Sequence, residues 1–332
     1  MILWLGFFIC TGIILYAGTK LSYYGDVIAE KTGLGRAWIG LVLLSFATSL
    51  PEMVNSISSV TYAQVPDIAA GDLIGSCVFN LLIIALLDLL YQQLPICTAA
   101  KPSHIISCSI GILQVSFVII SIFLQNIMPK LGWIGLNSII VVGIYIFAMK
   151  FIYGYEKKLA PTVNEHIKEE SYADVTLKKA IILFSVNALL VTGAAIFLPK
   201  IGEGIAELTG LGKTFVGNIL IAFSTSLPEI VVSVSALIKC KSVDLALGNL
   251  LGSTMINMAI LGFVDFLYLK GPLLSMVSQN HIISALSTII MTSIIIIGLF
   301  YRAEKKRLFL SVEAILILLV YVLNVYLLYL KK

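Results

Sequence analysis

The sequence predicts an all-α polytopic membrane protein with ten transmembrane helices, arranged as two inverted five-helix repeats. Composition is the first reason: 59% of the 332 residues are hydrophobic and only 12% are charged. A typical soluble domain is about half apolar and a quarter charged, so water is not the main solvent of this chain. The second reason is an internal duplication, in which Thr225 and its neighbours repeat Thr48 and its neighbours 177 positions later.

Ten stretches of the chain are long and apolar enough to cross a bilayer, whose hydrocarbon core of about 30 Å requires roughly 20 helical residues. We predict spans at 1–19, 37–62, 67–91, 103–125, 131–153, 178–199, 214–238, 243–268, 280–301 and 309–330. The first span has no basic segment at its start and no small-residue cleavage site before Lys20. We therefore interpret it as a retained helix rather than a signal peptide.

The duplication covers several motifs, and every aligned pair keeps the same offset without a gap. The aligned segments are "GDVIAEKTGLGRAWIG" (25–40) with "GEGIAELTGLGKTFVG" (202–217), "TSLPE" (48–52) with "TSLPE" (225–229), and "GDLIGSCVFN" (71–80) with "GNLLGSTMIN" (248–257). Such self-similarity is the signature of a repeated structural unit. We predict a first repeat at 1–153 and a second at 178–332, joined by a linker at 154–177. Their duplicated motifs occupy 40–80 and 217–257.

Equivalent points of the two halves are separated by five spans. Because five is odd, the second half enters the membrane from the opposite side. Inverted repeats of this kind are common in secondary transporters, which bind their substrate near the middle of the bilayer between interrupted helices. Lysines and arginines number sixteen in or beside the connections after odd-numbered spans, and six elsewhere. The positive-inside rule then predicts a cytoplasmic linker and both termini outside the cell. We expect a multi-pass protein of the plasma membrane.

Each copy of "TSLPE" is expected to interrupt its helix, because proline lacks the N–H that helical hydrogen bonding requires. Pro51 leaves the carbonyl of Ala47 without its helical partner, and Pro228 does the same to Ser224. A freed carbonyl is costly in hydrocarbon unless something binds it, and a cation is a natural occupant.

The polar residues of the duplicated motifs supply further oxygen atoms. Glu52 lies one turn from Thr48 on the same helical face, and Glu229 repeats this placement beside Thr225. Hard cations such as Ca²⁺ and Na⁺ prefer carboxylate, hydroxyl, amide and carbonyl oxygens, and two glutamates balance one divalent ion. The candidate metal ligands are Glu52, Glu229, Thr48, Ser49, Ser76, Asn80, Thr225, Ser226, Ser253 and Asn257.

The "TSLPE" and "GSxxxN" motifs, each present twice, resemble the alpha-repeats of the Ca²⁺/cation antiporter superfamily, specifically its prokaryotic-type sodium/calcium exchangers. The resemblance implies counter-transport of Ca²⁺ against Na⁺ by alternating access, with ion sites on spans two, three, seven and eight. It implies that Glu52 and Glu229 are the central carboxylate ligands and that spans one and six slide against the rest. It also implies that the following residues line the sodium and calcium sites: Thr48, Ser49, Ser76, Thr225, Ser226 and Ser253, with Asn80 beside them.

This chain departs from the family pattern in its acidic residues. Many sodium/calcium exchangers carry an aspartate where the second motif has Asn257, and the first motif has Asp72 in place of the "GN" asparagine. Asp72 is therefore a further candidate ligand, and we hypothesise that exchange survives with a changed coupling ion or ratio. For Asp88 and Asp265, near the ends of their spans, a solvated interface charge and a role in the ion path both remain open.

Other functions fit these residues less well. An antiporter that couples Ca²⁺ or another cation to H⁺ or K⁺ is the alternative on the same scaffold, since a glutamate in a low-dielectric setting can carry protons. A zinc protease would need HExxH, but His104, His166 and His281 are scattered, and an aspartyl protease would need two facing aspartates. A channel would use similar ligands, but inverted repeats with broken helices favour alternating access. We expect no enzyme activity, no cofactor, no nucleic-acid partner and no disulfide, and a monomer that works in membrane lipid.

Overall fold

The computed structural model describes residues 2–127, 129–163, 172, 174–209, 225–306 and 309–331. The helices are α1 (Ile2–Thr32), α2 (Arg36–Thr48), α3 (Leu50–Ala63), α4 (Pro66–Leu90), α5 (Ile96–Ala99), α6 (Ser103–Leu124), α7 (Leu136–Val163), α8 (Leu177–Thr209), α9 (Leu227–Ile238), α10 (Val243–Leu267), α11 (His281–Tyr301) and α12 (Val312–Leu330). The remaining elements of these ranges are two 3₁₀ turns, Gln125–Ile127 and Leu273–Ser275, and an antiparallel hairpin of β1 (Lys130–Leu131) and β2 (Ile134–Gly135).

The predicted all-α polytopic fold is confirmed. Among the described residues, eight helices are long and apolar enough to cross a membrane, and the bent pair of α2 and α3 makes a ninth span. The predicted seventh span, 214–238, corresponds to α9 only from Leu227 onwards, because 210–224 lie outside the described residues. The count of ten spans therefore stays a prediction.

Several helices continue well beyond their apolar segments. α1 has 31 residues, which at 1.5 Å per residue gives about 46 Å, against about 30 Å for the bilayer core. Lys20, the first residue after the predicted span 1–19, lies inside α1, so the helix extends past the predicted end of the span. α7 likewise runs on to Val163, into the predicted linker, of which 164–171 and 173 lie outside the described residues. A helix satisfies its own backbone hydrogen bonds with or without lipid, so it continues where a hydropathy window ends.

The chain divides into two compact units, residues 1–51 with 156–249 and residues 52–155 with 250–332. Each unit combines segments of both predicted repeats, so the compact units are not the repeats themselves. The first unit contains α1, α2, α8 and α9. The second contains α4, α6, α11, α12 and most of α3 and α7, and the boundary after Asn249 falls inside α10.

In the first unit, α1 and α8 pack against each other in opposite directions. A Cβ built at Gly204 would lie 2.8 Å from Leu3 Cδ1, and one built at Gly6 would lie 3.3 Å from Ile201 Cδ1. As the position along α1 advances by three residues, the position along α8 therefore recedes by three. Inverted repeats require this arrangement, because α1 and α8 are equivalent helices of the two copies.

The same unit has an apolar core that joins α1, α8 and α9. Ile14 of α1 is buried in one cluster with Ala195 and Leu198 of α8 and with Val231 of α9. Gly18 allows this approach, since a Cβ there would lie only 2.9 Å from Val231 Cγ1. Spans one and six, which the resemblance pairs as the sliding helices, thus pack together, while their sliding stays a prediction.

In the second unit, α4, α6, α10 and α11 surround one buried apolar cluster. Its members include Leu73 of α4, Ile122 of α6, Leu261 of α10 and Ala285 of α11, all fully buried. This cluster holds together the helices that carry the second unit's share of the duplicated motifs.

Asp88 and Asp265, equivalent residues of the two repeats, each accept a hydrogen bond from a backbone N–H eight residues later in the chain. The Ile96 N–H donates to Asp88 Oδ1 at 2.8 Å, and the Leu273 N–H donates to Asp265 Oδ1 at 2.5 Å. Both carboxylates are buried, with exposed fractions of 1% and 0%. The interpretation as solvated interface charges is wrong, because each carboxylate is enclosed and accepts backbone hydrogen bonds.

Each of these carboxylates also binds the start of a helix from the other repeat. Asp88 Oδ2 accepts the N–H of Ser311, the residue that caps α12, at 2.8 Å. Asp265 Oδ2 accepts the N–H of Gly135, immediately before α7, at 2.8 Å. Asp88 additionally pairs with Lys306 Nζ at 3.2 Å. Each repeat thus supplies a carboxylate that binds the start of a helix of the other repeat, as expected for two copies related by an approximate two-fold axis.

Candidate ion-binding site

The first "TSLPE" motif interrupts its helix, as predicted. α2 ends at Thr48 and α3 begins at Leu50, with a bend of 41° between them. Ser49, at the break, has φ −87° and ψ 3°, a sparsely populated conformation in which many active-site residues are found. Pro51 has no N–H with which to bind the carbonyl of Ala47. The break therefore follows from the sequence of the motif itself.

The second copy has the same local geometry. Ser226 has φ −92° and ψ 5°, within a few degrees of the values at its equivalent in the first copy. α9 begins at Leu227, and Pro228 occupies its first turn, where the missing N–H is tolerated. The carbonyl of Ser224, which we expect to be freed, lies outside the described residues. Two copies with one backbone conformation indicate that the break is a property of the duplicated motif.

Each motif places its glutamate inside the protein. Glu52 lies in the first turn of α3 and Glu229 in the first turn of α9, and both are only 1% exposed. The partial positive charge of a helix N-terminus favours a carboxylate at this position. An ionisable residue buried within a membrane helix indicates function, because burial of a charge is expensive. Glu52 belongs to the second unit and Glu229 to the first, so their meeting at one ion site stays a prediction.

In the first unit, the hydroxyl residues of both "TSLPE" copies are buried. These are Thr48, Ser49, Thr225 and Ser226. Thr48 Oγ1 donates to Asn249 Oδ1 at 3.2 Å, and Asn249 Nδ2 donates to Ser233 Oγ at 2.9 Å. The first "TSLPE" motif is thus hydrogen-bonded to the "GNLLGS" motif of the other repeat.

Asn249 and Ser233 are polar residues of this region that were not among the predicted ligands. Both are fully buried. The sequence held one signal for Asn249, its alignment with Asp72, but that alignment draws attention to the acid rather than to the amide. No pattern in the sequence singles out Ser233, a serine in an apolar helix.

In the second unit, the predicted ligands of the "GSxxxN" motifs are buried on α4 and α10. They are Ser76, Asn80, Ser253 and Asn257. Within the described part of the chain, neither amide atom of Asn80 has a hydrogen-bond partner. A buried amide without partners costs about 1–3 kcal/mol, so the residue is poorly explained by stability.

Asp72 differs from these ligands in its surroundings. It lies one turn before Ser76 on α4, is only partly buried, and accepts a hydrogen bond from Asn55 Nδ2 of α3 at 2.7 Å. One of its carboxylate oxygens is therefore occupied by a protein donor. Direct ligation of an ion by Asp72 stays a prediction.

An ion pair fixes the start of α2 in the first unit. Arg36, the first residue of α2, donates to both carboxylate oxygens of Asp26 on α1, and Tyr172 Oη donates to Asp26 Oδ2 at 2.7 Å. Tyr172 lies outside the spans, where burial and this hydrogen bond raise its pKa above the usual range, so the phenol stays a donor at neutral pH. The end of α2 opposite the break is thereby anchored to α1. Lys213, the counterpart of Arg36 in the second repeat, lies outside the described residues.

The fold and these motifs together define a class of protein. Antiparallel equivalent helices, one backbone conformation at Ser49 and Ser226, and a buried glutamate three residues after each are features of a secondary transporter built from inverted repeats. Comparison with known proteins identifies the family within this class.

The chain matches the family described as "Sodium/calcium exchanger protein" over residues 2–154 and 179–330, which is nearly its whole length. It therefore belongs to this family, within the Ca²⁺/cation antiporter superfamily that its motifs resemble, and is a cation exchange antiporter. The family consists of transporters rather than enzymes.

Several curated proteins are related to the chain. The sodium/calcium exchanger MaX1 of Methanosarcina acetivorans is 28% identical over 334 aligned positions, which cover 90% of this chain and 92% of MaX1. The inner membrane protein YrbG of Escherichia coli is 23% identical over 259 positions, or 75% of this chain and 74% of YrbG. The putative antiporter CaxA of Alkalimonas amylolytica is 25% identical, covering 77% and 78% of the two chains.

Solved structures of the sodium-calcium exchanger NCX_Mj have the same fold. One, soaked without Na⁺ and Ca²⁺, superposes with a TM-score of 0.73 at 20% identity and covers 98% of each chain. Another, soaked with 100 mM Na⁺ and 10 mM Sr²⁺, gives a TM-score of 0.73 at 21% identity with the same coverage. The likeness extends over the whole chain and confirms the polytopic fold.

Proposed function

We propose that this protein exchanges Ca²⁺ for Na⁺ across the plasma membrane by alternating access. The observation that carries the proposal is the duplicated local geometry, with Ser49 and Ser226 in one backbone conformation and a buried glutamate three residues after each. Glu52 and Glu229 together carry two negative charges when ionised. This charge balances one Ca²⁺ or two Na⁺ ions in its place, but not both loads at once.

The ligands of the proposed site are oxygen atoms from both repeats. Carboxylates come from Glu52 and Glu229, while the carbonyl freed by Pro51 adds a backbone oxygen. The hydroxyl and amide ligands are Thr48, Ser49, Ser76, Asn80, Thr225, Ser226, Ser253 and Asn257. Asp72, whose carboxylate also accepts a hydrogen bond from Asn55, contributes negative charge beside the site.

In the proposed cycle, α1 and α8 slide as a pair and expose the site alternately to the two sides. The lysine and arginine distribution supports an orientation with both termini outside the cell and with the 154–177 linker in the cytoplasm. Na⁺ entering the cell then drives Ca²⁺ out, and a single chain carries the complete site. An epitope at either terminus is expected to bind antibody in intact cells, whereas one in the linker requires permeabilised cells.

Reconstitution into liposomes tests the proposal directly. Liposomes loaded with Na⁺ are diluted into Na⁺-free buffer with radiolabelled Ca²⁺, and parallel samples carry K⁺ or H⁺ gradients instead. We expect Ca²⁺ to accumulate against its own gradient only when Na⁺ runs outward. A channel would equilibrate Ca²⁺ without accumulation, and uptake that ignores the Na⁺ gradient would contradict Na⁺/Ca²⁺ exchange.

The second candidate is a Ca²⁺ or other cation exchanger coupled to H⁺ or K⁺. The observation that favours it is Asn257, a neutral and fully buried residue where many sodium/calcium exchangers carry an aspartate. One fewer fixed negative charge reduces the number of Na⁺ ions that the site can balance. Accumulation driven by the H⁺ or K⁺ gradient, with no response to Na⁺, would establish this alternative.

A further inference from the structure

We propose that a cavity between two connections of the second unit binds the headgroup of an anionic phospholipid. The cavity has a volume of about 360 Å³, within the range of about 300–1,000 Å³ that is usual for small-molecule sites. It lies between the α4–α5 connection and the α11–α12 connection. The residues that line it are Gln92 and Gln93 of the first connection and Glu304, Lys305, Lys306 and Phe309 of the second.

Hydrogen bonds hold the wall that carries the lysines. Thr98 Oγ1, on α5, donates to the Ala303 carbonyl oxygen at 2.9 Å. Arg302 Nη2 donates to the Ala100 carbonyl oxygen, also at 2.9 Å. These contacts anchor the α11–α12 connection immediately before Glu304 and Lys305. The cavity is therefore formed in advance, which reduces the cost of ordering it around a ligand.

Lys306 has a structural role in the same wall. Its Nζ lies 3.2 Å from Asp88 Oδ2 and also donates to the Asp88 carbonyl oxygen, and its side chain is only 7% exposed. Because Asp88 also accepts the N–H groups of Ile96 and Ser311, one carboxylate joins the ends of both connections. Asp88 thus compensates the charge of Lys306, and a ligand must be bound by other groups.

Lys305 supplies the positive charge that a ligand can use. Its side chain is exposed and, in the described part of the chain, its ammonium group makes no ion pair or hydrogen bond. Arg302 adds a second positive charge beside the cavity, since it binds a neutral carbonyl. Glu304 is exposed, so water screens its negative charge. Once Lys306 and Asp88 are paired, positive charge predominates at the cavity.

The two glutamines of the opposite wall add uncharged donors. Tyr91 Oη donates to Gln93 Oε1 at 3.3 Å, which occupies the carbonyl side of this amide and leaves Nε2 to donate. Gln92 carries the same amide group beside it. An ammonium group opposite amide N–H donors is a set that binds the oxygen atoms of a phosphate.

The cavity lies where the chain leaves the membrane. α11 ends at Tyr301 and α12 begins at Val312, and both helices are long and apolar enough to cross a bilayer. The distribution of lysines and arginines supports a cytoplasmic position for the connection between them. The cytoplasmic leaflet is the one that presents anionic headgroups to basic residues just outside a span.

The aromatic side chains around the cavity favour a lipid over free phosphate. Phe309 lines the cavity and is 74% exposed, and Tyr301, at the end of α11, is 74% exposed as well. Aromatic rings at a membrane surface lie at the level of the headgroups. A ligand with an anionic head and an acyl chain can contact Lys305 and Phe309 together, whereas inorganic phosphate contacts only the polar groups.

The equivalent connection of the first repeat lacks these basic residues. Between α6 and α7, residues 125–135 contain a single lysine, Lys130, whereas residues 302–307 contain four lysines and arginines. The duplicated fold therefore does not require a basic connection at this point. The basic wall is a property of the second repeat alone.

Native mass spectrometry tests the proposed site. The full chain, purified in detergent, is titrated with anionic dioleoyl phosphatidylglycerol and separately with zwitterionic dioleoyl phosphatidylcholine. We expect phosphatidylglycerol to bind at one site and phosphatidylcholine to bind more weakly. Lys305→Gln should weaken phosphatidylglycerol binding about fivefold, because a basic residue near the membrane surface contributes about 1 kcal/mol. Gln93→Leu removes an uncharged donor and should weaken binding about two- to tenfold.

Lys241→Gln is the matched control. Lys241 is exposed in the α9–α10 connection, which the charge distribution also predicts to be cytoplasmic, but it does not line this cavity. Its replacement removes the same charge and is expected to leave binding unchanged. Equal weakening by Lys241→Gln and Lys305→Gln would show a diffuse attraction of lipid to the basic side of the protein, and would overturn the proposal. Equal binding of the two lipids would do the same.

Inorganic phosphate separates a lipid site from a site for a free anion. Excess phosphate is added to the complex with phosphatidylglycerol, and we expect the lipid to stay bound. Displacement of the lipid would mean that the cavity takes a free anion, contrary to the proposal. Melting temperatures of the variants without lipid should equal that of the wild type, since Lys305 and Lys241 are both exposed. None of these measurements involves transport, so their outcome is independent of Na⁺/Ca²⁺ exchange.

Discussion

Cys77 of α4 and Thr254 of α10 are in contact, with the Cys77 thiol donating to the Thr254 carbonyl oxygen at 3.5 Å. The two residues are 177 positions apart and occupy equivalent places in the two repeats. Equivalent residues of two copies touch only where the axis that relates the copies passes between them. The approximate two-fold axis therefore runs between α4 and α10 at this point, one residue after Ser76 and Ser253.

A larger side chain at this axis is expected to destabilise the protein. Cys77 is fully buried, so Cys77→Leu must push α4 and α10 apart, at a cost of about 1–3 kcal/mol, whereas Cys77→Ala needs no displacement. The measurement is thermal unfolding of the purified protein in detergent. Cys10→Leu, on the partly exposed face of α1, is the matched control and should leave the melting temperature unchanged. A Cys77→Leu variant as stable as Cys77→Ala would show that the helices are not in tight contact here.

Removal of either central charge is expected to stop transport without unfolding the protein. Glu52→Gln and Glu229→Gln keep the side-chain volume but leave a divalent ion without half of its balancing charge. Loss of one partner of a buried charge pair costs about 3–5 kcal/mol, which corresponds to a fall of 100-fold or more in apparent Ca²⁺ affinity. Uptake into Na⁺-loaded proteoliposomes gives the result, with size-exclusion profiles as the folding check. Wild-type uptake by either variant would contradict the role of that glutamate, and the exposed Glu304→Gln serves as control.

Substitutions at Asp72 and Asn257, the two positions whose charge differs from the family pattern, are expected to change selectivity rather than abolish exchange. Asp72 is partly exposed and held by Asn55, so Asp72→Asn should weaken Ca²⁺ transport only a few-fold, about the effect of a screened charge. Asn257→Asp adds a charge at a fully buried position and should strengthen the dependence of uptake on Na⁺. Competition of Na⁺, K⁺ and H⁺ gradients in the uptake assay measures both effects. If neither substitution alters Na⁺ dependence or cation selectivity, the relocation of charge from the second motif to the first is refuted.

The elements that the sequence predicts well are those with a local cause. The breaks at Ser49 and Ser226 follow from the proline two residues later, and the direction of the repeats follows from counting spans. Asp88 and Asp265 were harder, because the donors that bind them come partly from the far end of the other repeat. Burial and partners of a carboxylate depend on contacts between distant segments, which one sequence does not display.

For the same reason, the sequence does not predict the contact of Asn249 with Thr48. Its alignment with Asp72 marks the position, but its partner Thr48 lies 201 positions earlier in the chain. Only the crossing at Gly40 and Gly248 brings the two together. Glycines in a membrane helix indicate that some backbone comes close, and they do not say which one.

Loss of the Asp265 carboxylate, which accepts two buried backbone hydrogen bonds, should destabilise the second unit strongly. Asp265→Ala leaves the N–H groups of Gly135 and Leu273 without their acceptor, and each buried donor left in this way costs about 1–3 kcal/mol. Asp67→Ala is the control, because Asp67 also accepts a backbone N–H, from Ser278 at 2.7 Å, but its side chain is 48% exposed and water can replace it. We expect a large fall in melting temperature for the first variant and a small one for the second. Equal falls would mean that the burial of Asp265 does not matter.

Replacement of glycine by alanine at the crossing of α2 and α10 is expected to lower the melting temperature, whereas the same replacement elsewhere in a helix is not. Within a helix, glycine usually makes the protein less stable than alanine would, by about 0.5–1 kcal/mol. A Cβ at Gly143 of α7 or at Gly193 of α8 meets no atom within 4 Å. Gly143→Ala and Gly193→Ala should therefore raise the melting temperature or leave it unchanged. Gly40→Ala and Gly248→Ala place a methyl group 2.5 and 2.6 Å from backbone carbonyl oxygens, which cannot rotate away as a side chain can.

The helices must therefore separate in these two variants, and the melting temperature should fall. Separation also displaces Thr48, a proposed ion ligand at the end of α2, so the half-saturating ion concentrations should rise in any Gly40→Ala or Gly248→Ala protein that remains folded. Thermal unfolding and proteoliposome uptake on the same preparations measure both effects. A melting temperature for Gly40→Ala at or above that of Gly143→Ala would mean that α2 and α10 are not in backbone contact.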